Sequence, residues 1–248
     1  MTTMMPVTDA GVAAVLGTPD SKRDYNRDLF EVVAPRYGVV TRVMSFGRDV
    51  AWKRFLVKRV PEGPHRRCVD LACGTGDLTV RLAQRFPEAR VTGIDLTPSM
   101  LAIARRKVKA PNVIFTEGDM AQTGLDANSV DIITGGYALR NAPEIATALK
   151  EICRILRPGG SALFLDFSRS GGRLRSRVQL GLLRFWGRLW GRVLHGDASV
   201  YGYIATSLAL YPDRVALHRL FNRCGLRWVE EHLLMGGMLS CLVIEKPE

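Results

Sequence analysis

The sequence predicts an α/β fold in which strands alternate with helices from residue 66 onward and build a mostly parallel, doubly wound sheet. Three observations carry that prediction. The apolar run RCVDLA passes directly into a glycine-rich turn, CGTGD, and then into a helical pattern. Further strand-like runs, VTGID, NVIFTEGD, VDIITGG and SALFLDFS, are each separated by helix-length segments or loops. The last two runs, LRWVEEHLL and LSCLVIEK, flank a short Met-Gly-Gly-Met turn, which suits an antiparallel hairpin at one end of the sheet.

The elements follow in order. Residues 1–23 read as a flexible leader; they lack the basic start and long apolar core of a signal peptide. Residues 24–60 read as helical and basic, with Trp52, Phe55 and Leu56 as apolar anchors, and Pro61 to Pro64 breaks the run. The span 24–64 is thus an N-terminal helical cap. GDLTVRLAQRF is a helix, as is Pro98 to Lys107 with Thr97 as its cap. Pro143 to Leu156 is a helix closed by RPGG. Residues 169–211 form a helical insertion, and Pro212 to Cys224 is the last helix. The chain is long enough for one sizeable core, so 24–248 reads as a single Rossmann-like domain with a C-terminal antiparallel hairpin and an inserted amphipathic helical lid.

Composition bounds the setting. Hydrophobic residues make up 47% and charged residues 24%, as in an ordinary globular protein. Five cysteines, at 68, 73, 153, 224 and 241, show no finger or C-x-x-C spacing, and an odd number argues against a disulfide framework. A reducing cytosol is the expected location. No run of eighteen apolar residues is present, so no membrane span is expected. The four histidines (65, 195, 218, 232) are isolated, and no metal site is expected.

The stretch from Cys68 to Asp77 carries most of the functional information. Gly74 and Gly76 let backbone approach a ligand, and the helix starting near Asp77 offers free N–H groups to the same place. A dinucleotide loop wants G-x-G-x-x-G, but Thr79 fills the third glycine position. Asp70, just before the loop, would repel a pyrophosphate and would receive a ligand ammonium group, directly or through water. S-adenosylmethionine carries such a group. Asp95, ending the second strand, would accept both ribose hydroxyls. Asp119, closing the third, would accept from the adenine amino group, with Met120 against the purine face. Ala72 and Leu96 adjoin these acids and complete the cofactor set read from the loops. A nicotinamide dehydrogenase is disfavoured by Thr79 and Asp70.

The net charge is +11, and arginines are concentrated in an insertion, GGRLRSRVQLGLLRFWGRLWGRVLHGD, without an acid before Asp197. As a helix it places Arg173, Arg177, Arg184, Arg188 and Arg192 on one face. Leu182, Phe185, Trp186, Leu189, Trp190 and Val193 fill much of the remainder. Its 22 residues from Arg173 to Leu194 would span about 33 Å. An arginine at a bilayer centre costs roughly 2.5–3.5 kcal/mol, so an interfacial helix on anionic lipid, with tryptophans at headgroup depth, fits better than a crossing one. A lid with a basic outer face is compatible with this. No RNA-binding motif accompanies the charge, and no nucleic-acid partner is expected. A homodimer is allowed.

These residues resemble the class I S-adenosylmethionine-dependent methyltransferases. MSFGRDVAWKRF (44–55), LACGTGDLT, ALRN (138–141), RILRPGGSALFLDFS (154–168) and YGYIATSLALYP (201–212) look more specifically like the ubiquinone/menaquinone biosynthesis C-methyltransferases, the UbiE-type family. The resemblance runs from about Tyr37 to the end. It implies cofactor contacts at Thr75, Asp95, Asp119, Met120 and Gly136, and places Tyr37, Arg140 and Asn141 near the substrate ring. It implies C-methylation of a prenylated phenol or hydroquinone. On that reading Arg140 stabilises the phenolate, Tyr37 and Asn141 position the ring oxygen, and Asp166, where the family usually has Glu, is a candidate base. The chain departs from the family pattern at Gly38, Thr41, Asp49, Val50, Tyr137 and Ala138, all in substrate-facing segments. Another lipophilic or natural-product phenol is the alternative acceptor, and a non-catalytic membrane- or nucleic-acid-binding module the remote one.

Overall fold

A computed structural model of the chain describes residues 9–169 and 172–248. Seven strands form its single sheet: β1 (Arg67–Leu71), β2 (Arg90–Asp95), β3 (Val113–Glu117), β4 (Val130–Gly136), β5 (Leu156–Phe167), β6 (Arg227–Leu234) and β7 (Leu239–Glu245). Their order is β3-β2-β1-β4-β5-β7-β6. The first five are parallel, β7 runs antiparallel to β5, and β6 antiparallel to β7. The sheet is thus the doubly wound, mostly parallel one expected, with its hairpin at one edge. The chain winds outward from β1 on one side and from β4 on the other. The crevice beyond the carboxyl ends of β1 and β4 is therefore the topological switch point, where such sheets bind ligands.

Side chains alternate across the strands with a period of two, as a sheet covered on both faces requires. Ile133 and Phe164 face one layer, with Leu149, Ile152 and Phe221 from α7 (Ile145–Ile155) and α10 (Arg214–Arg223). Their neighbours Ile132 and Leu163 face the other, with Leu56 and Leu82 from α4 (Asp49–Lys58) and α5 (Asp77–Arg85). The helix α6 (Pro98–Lys107) follows β2. Thr97 stands at its N-cap with extended backbone but makes no capping bond through its side chain. Instead its N–H donates to Asp95 Oδ1 at 2.9 Å. The strand expected over SALFLDFS begins earlier, at Leu156, because Leu156 already pairs with Val130 before a register shift.

The largest departure from expectation is at the N-terminus. Residues 1–8 of the expected leader lie outside the described residues. The rest is helical, as α1 (Asp9–Val15) and α2 (Pro19–Val33), followed by α3 (Tyr37–Met44). Val12, Leu16, Leu29 and Val33 are buried in a third apolar cluster with Tyr201 and Ile204 of α9 (Ser199–Leu210). The start signal was present: Pro19 opens α2 and Asp20 lies in its first turn.

The insertion forms α8 (Arg173–His195), antiparallel neighbour to α9. The two helices approach closely through glycines. A Cβ on Gly187 would sit 2.5 Å from the Tyr201 carbonyl oxygen, and one on Gly191 2.5 Å from that of Asp197. Trp186 and Trp190 do not point outward as expected; they meet edge to face, and Trp186 stacks on Phe46 at 5.0 Å. Leu182, Phe185, Leu189 and Val193 remain exposed. No described helix is long and apolar enough to cross a membrane.

Candidate active site

The loop after β1 is shaped by left-handed backbone. Gly76 stands at the N-cap of α5 with φ +81°, and a Cβ there would lie 3.0 Å from the Phe115 ring. The N-terminus of α5 is therefore brought over the end of β1. Asp95 fixes the same loop from the next strand, because its Oδ2 accepts the Gly74 N–H at 2.7 Å while its Oδ1 accepts that of Thr97. Burial pushes its carboxyl up, against the pull of these amide donors.

Three cavities lie at the switch point. One of about 90 Å³ is lined by Ala72, Gly74, Asp95, Leu96, Asp119 and Met120, with Gly136 at its far side. A recess of about 20 Å³ beside it touches Asp70, Ala72, Thr75, Asp77 and Gly136. A larger one, about 420 Å³, is enclosed mostly by apolar side chains and contains Arg140. Phe30, Tyr37, Tyr137 and Asn141 line both the 90 Å³ and the 420 Å³ cavities, so they are the wall between them.

The donor set of the smaller cavities fits S-adenosylmethionine. Asp95 and Asp119 present acceptors to hydroxyl and amino groups, Leu96, Met100 and Met120 offer apolar surface, and the recess holds Asp70 and Asp77 with Lys53 beside them. The buried Asn141 Oδ1, in the shared wall, has no hydrogen-bond partner. Among the described residues there is no cluster able to hold a metal ion.

Several residues sit differently from their sequence-based roles. Asp70 is fully buried and gives its oxygens to Thr79 Oγ1 (2.7 Å) and Thr134 Oγ1 (2.9 Å). Burial pushes it up to about 6, and the bonds that tie β1 to α5 and β4 make it first a structural staple. Asp119 already accepts from Ala121 N at 2.8 Å and from Arg23 Nε at 2.7 Å. Gly76 shapes the loop but lines none of the three cavities. Asp166 lines none of them either: it lies behind Arg140, accepting the backbone N–H of Arg140 at 3.0 Å and of Phe167 at 2.8 Å. Its expected role as a base gives way to one of holding the Arg140 turn.

Arg140 is 2% exposed. Its guanidinium lies 5.4 Å from the Phe167 ring centre and 5.3 Å from that of Tyr203, and donates to Ser207 Oγ. Its Nε makes no hydrogen bond, with Asp166 Oδ1 at 3.8 Å. A charged donor is therefore held inside an apolar chamber. Tyr37 is at the wall, where burial and the nearby Asp49 carboxylate push its phenol well above its ordinary range.

The sequence reading left the start of α2, with Lys22 and Arg23, in a leader and gave no site role to Asn26. Lys22 Nζ donates to the Arg140 carbonyl (3.0 Å), Arg23 pairs with Asp119, and Asn26 donates to the Asn141 carbonyl (2.7 Å). One helix thus closes over both ligand cavities.

Comparison with known proteins gives a consistent picture. The profile of the ubiE/COQ5 methyltransferase family matches residues 18–245. The demethylmenaquinone methyltransferase of Thermus thermophilus is 35% identical over 225 residues, covering 88% of this chain and 100% of its own. The 2-phytyl-1,4-naphtoquinone methyltransferase of Thermosynechococcus vestitus is 36% identical over 222 residues, covering 88% and 97%. Among solved structures, a chain from the Haloferax volcanii complex between the Trm112 methyltransferase activator and a methyltransferase superposes with a TM-score of 0.65. It is 18% identical and covers 88% of this chain and 98% of its own.

Proposed function

The chain belongs to the ubiE/COQ5 methyltransferase family and is an S-adenosylmethionine-dependent methyltransferase, and we propose that its acceptor is a ring carbon of a prenylated quinol or phenol of the menaquinone or ubiquinone type. The observation that carries this reading is the pairing of two cavities across one wall. The smaller is rimmed by strand-end carboxylates; the larger is mostly apolar, with Arg140 the one cationic side chain in its lining. Its volume of about 420 Å³ lies within the range of small-molecule sites, roughly 300–1,000 Å³.

Bound in the smaller cavities, S-adenosylmethionine supplies an electrophilic methyl group. The chain's own residues do the rest. Asp95 and the glycine loop orient the cofactor, so that alignment across the wall provides much of the rate. Arg140 stabilises the phenolate left when the ring hydroxyl gives its proton to water; that charge makes the neighbouring ring carbon nucleophilic, the ring proton it displaces also leaves to water, and burial among rings strengthens the effect. Tyr37 and Asn141 position the ring oxygen from the wall. Incubating the protein with deuteriomethyl-labelled cofactor and bacterial lipid extract tests this by mass spectrometry. A gain of one labelled methyl on a prenylquinol is expected; label appearing only on other phenols overturns the acceptor assignment.

A long tail must leave a chamber of this size, and the exit is suggested by α8. Leu174, Val178, Leu182, Phe185, Leu189 and Val193 recur at spacings of three and four and are all exposed. Leu182 and Phe185 also line the larger cavity. Arg175, Arg177, Arg188 and Arg192 are exposed on the same helix, which contains no acid. This face is proposed to rest on anionic lipid at the cytoplasmic side of a membrane, each arginine contributing about 1 kcal/mol. Flotation with phosphatidylglycerol vesicles should carry the protein upward at low salt and less so at high salt or after joint Leu182→Asp and Phe185→Asp substitution. Absence of binding to these vesicles at low salt rules the surface out.

A further inference from the structure

Tyr137 occupies a controlled position in the wall. Its backbone has φ +58°, and its N–H donates to the Leu165 carbonyl at 2.6 Å. The hydroxyl donates to Asp49 Oδ1 at 2.9 Å. Asp49 is 5% exposed, and its Oδ2 lies 2.8 Å from Lys53 Nζ. Lys53, 4% exposed, is also 3.0 Å from Asp77 Oδ2, and Asp77 pairs in turn with the half-exposed Lys107. A single chain of contacts therefore runs from the wall to the surface.

The direction of the first bond in that chain matters most. A carboxylate accepts, and the second oxygen of Asp49 is already taken by the Lys53 ammonium group, which only donates. The phenol has one hydrogen, and it is committed to Asp49. What Tyr137 retains for a ligand is acceptor capacity alone. Arg140, in the same cavity, is the opposite: a guanidinium donates and never accepts. Arg140 thus offers the chamber a fixed donor and Tyr137 a fixed acceptor, beside the unpartnered Asn141 Oδ1 in the same wall. Asp49 and Tyr137 are also two of the positions at which the sequence departs from the family pattern, and here they touch each other.

We propose that Tyr137, held by Asp49, is a specificity residue that accepts a hydrogen bond from a second hydroxyl of the acceptor ring, so that the enzyme selects a dihydroxy aromatic over the same ring lacking that hydroxyl or oxidised to a carbonyl. Asp49 is the positioning residue in this pair. The inference rests on the acceptor class proposed above and adds the feature of the ring that is read. A carbonyl oxygen placed at Tyr137 would face lone pairs with no hydrogen between, whereas a site built to accept from a hydroxyl penalises the analogue without it.

The test uses three probes: 2-prenyl-1,4-dihydroxynaphthalene kept under reductant, and the two prenylnaphthols lacking one or the other hydroxyl. Their dissociation constants are measured by calorimetry in the presence of S-adenosylhomocysteine. One of the naphthols should bind about tenfold more weakly than the diol through loss of the Tyr137 contact. That ratio should fall toward one in Tyr137→Phe, which keeps the ring and its packing. Asp49→Asn should lower it as well, because an amide can donate to the tyrosine oxygen and release its proton. The double variant should show no further loss. Thermal melting reports whether each variant is folded. Equal affinity of the unsubstituted protein for all three probes, or an unchanged ratio in a folded Tyr137→Phe, overturns the inference. Binding of none of the probes overturns the acceptor class itself.

Discussion

Replacing Arg140 by Gln is expected to lower kcat by about two to three orders of magnitude while leaving the affinity for S-adenosylmethionine within about twofold. The guanidinium is 2% exposed and lies in the larger cavity, not in the one rimmed by Asp95 and Asp119. Its proposed role begins when negative charge develops on the acceptor, in a medium too apolar to solvate that charge. Gln is shorter than Arg, carries no charge and withdraws the guanidinium donor from Ser207. Asp166 keeps its two backbone donors in the variant. It loses the cation that counters burial, so its already raised titration moves higher still. A raised carboxyl contributes stability below its ordinary range that disappears as pH rises through the folded-state value. The variant should therefore lose more melting temperature at pH 8 than at pH 5. Steady-state kinetics alongside calorimetry separates the effects. Loss of cofactor binding with normal turnover of the remaining complex would remove Arg140 from the chemistry.

Asp95→Ala should weaken cofactor binding by about a hundredfold or more. Hydrogen bonds to a charged acceptor contribute roughly 1.5–3 kcal/mol each, and two ribose hydroxyls are within the capacity of one carboxylate. The structure adds a second cost. Asp95 accepts from Gly74 and Thr97, so its loss frees the glycine loop and the start of α6 together. Asp95→Asn, which retains one acceptor oxygen, should fall between the two. Calorimetry with S-adenosylmethionine and its demethylated product measures this. Unchanged affinity in a folded Asp95→Ala would take the carboxylate out of the cofactor site.

The glycine loop, the alternating strands and the hairpin were legible because each is written in local chemistry. Gly76 must adopt a positive φ, the strands are near-continuous apolar runs, and a Met-Gly-Gly-Met turn joins antiparallel neighbours. Acids at strand ends were legible only as acids. Asp70 and Asp95 look alike in sequence, but whether a carboxylate meets a ligand, a threonine or an amide depends on neighbours that range from 2 to 64 residues away. Asp166 was read as a base for the same reason, and only its burial behind Arg140 corrects this. The helix α2 was cut in two because its role lies in Lys22, Arg23 and Asn26, polar residues that look solvent-facing until the Arg140 and Asn141 carbonyls arrive from the end of β4. The tryptophans of α8 were taken for interfacial anchors because a periodicity does not say which of two apolar stripes turns inward.

Phe30, Tyr37, Tyr137 and Asn141 belong to both cavities at once. Whatever factor a filled cofactor cavity imposes on acceptor affinity, the acceptor imposes on the cofactor, because binding free energies around a closed cycle must sum to zero. The wall is thus a reciprocal coupling element. A side chain changed there alters two affinities and their product, whereas one changed at Asp95 or Leu182 alters its own cavity first. Cofactor affinity measured without an acceptor therefore describes only half of the equilibrium that a working enzyme experiences.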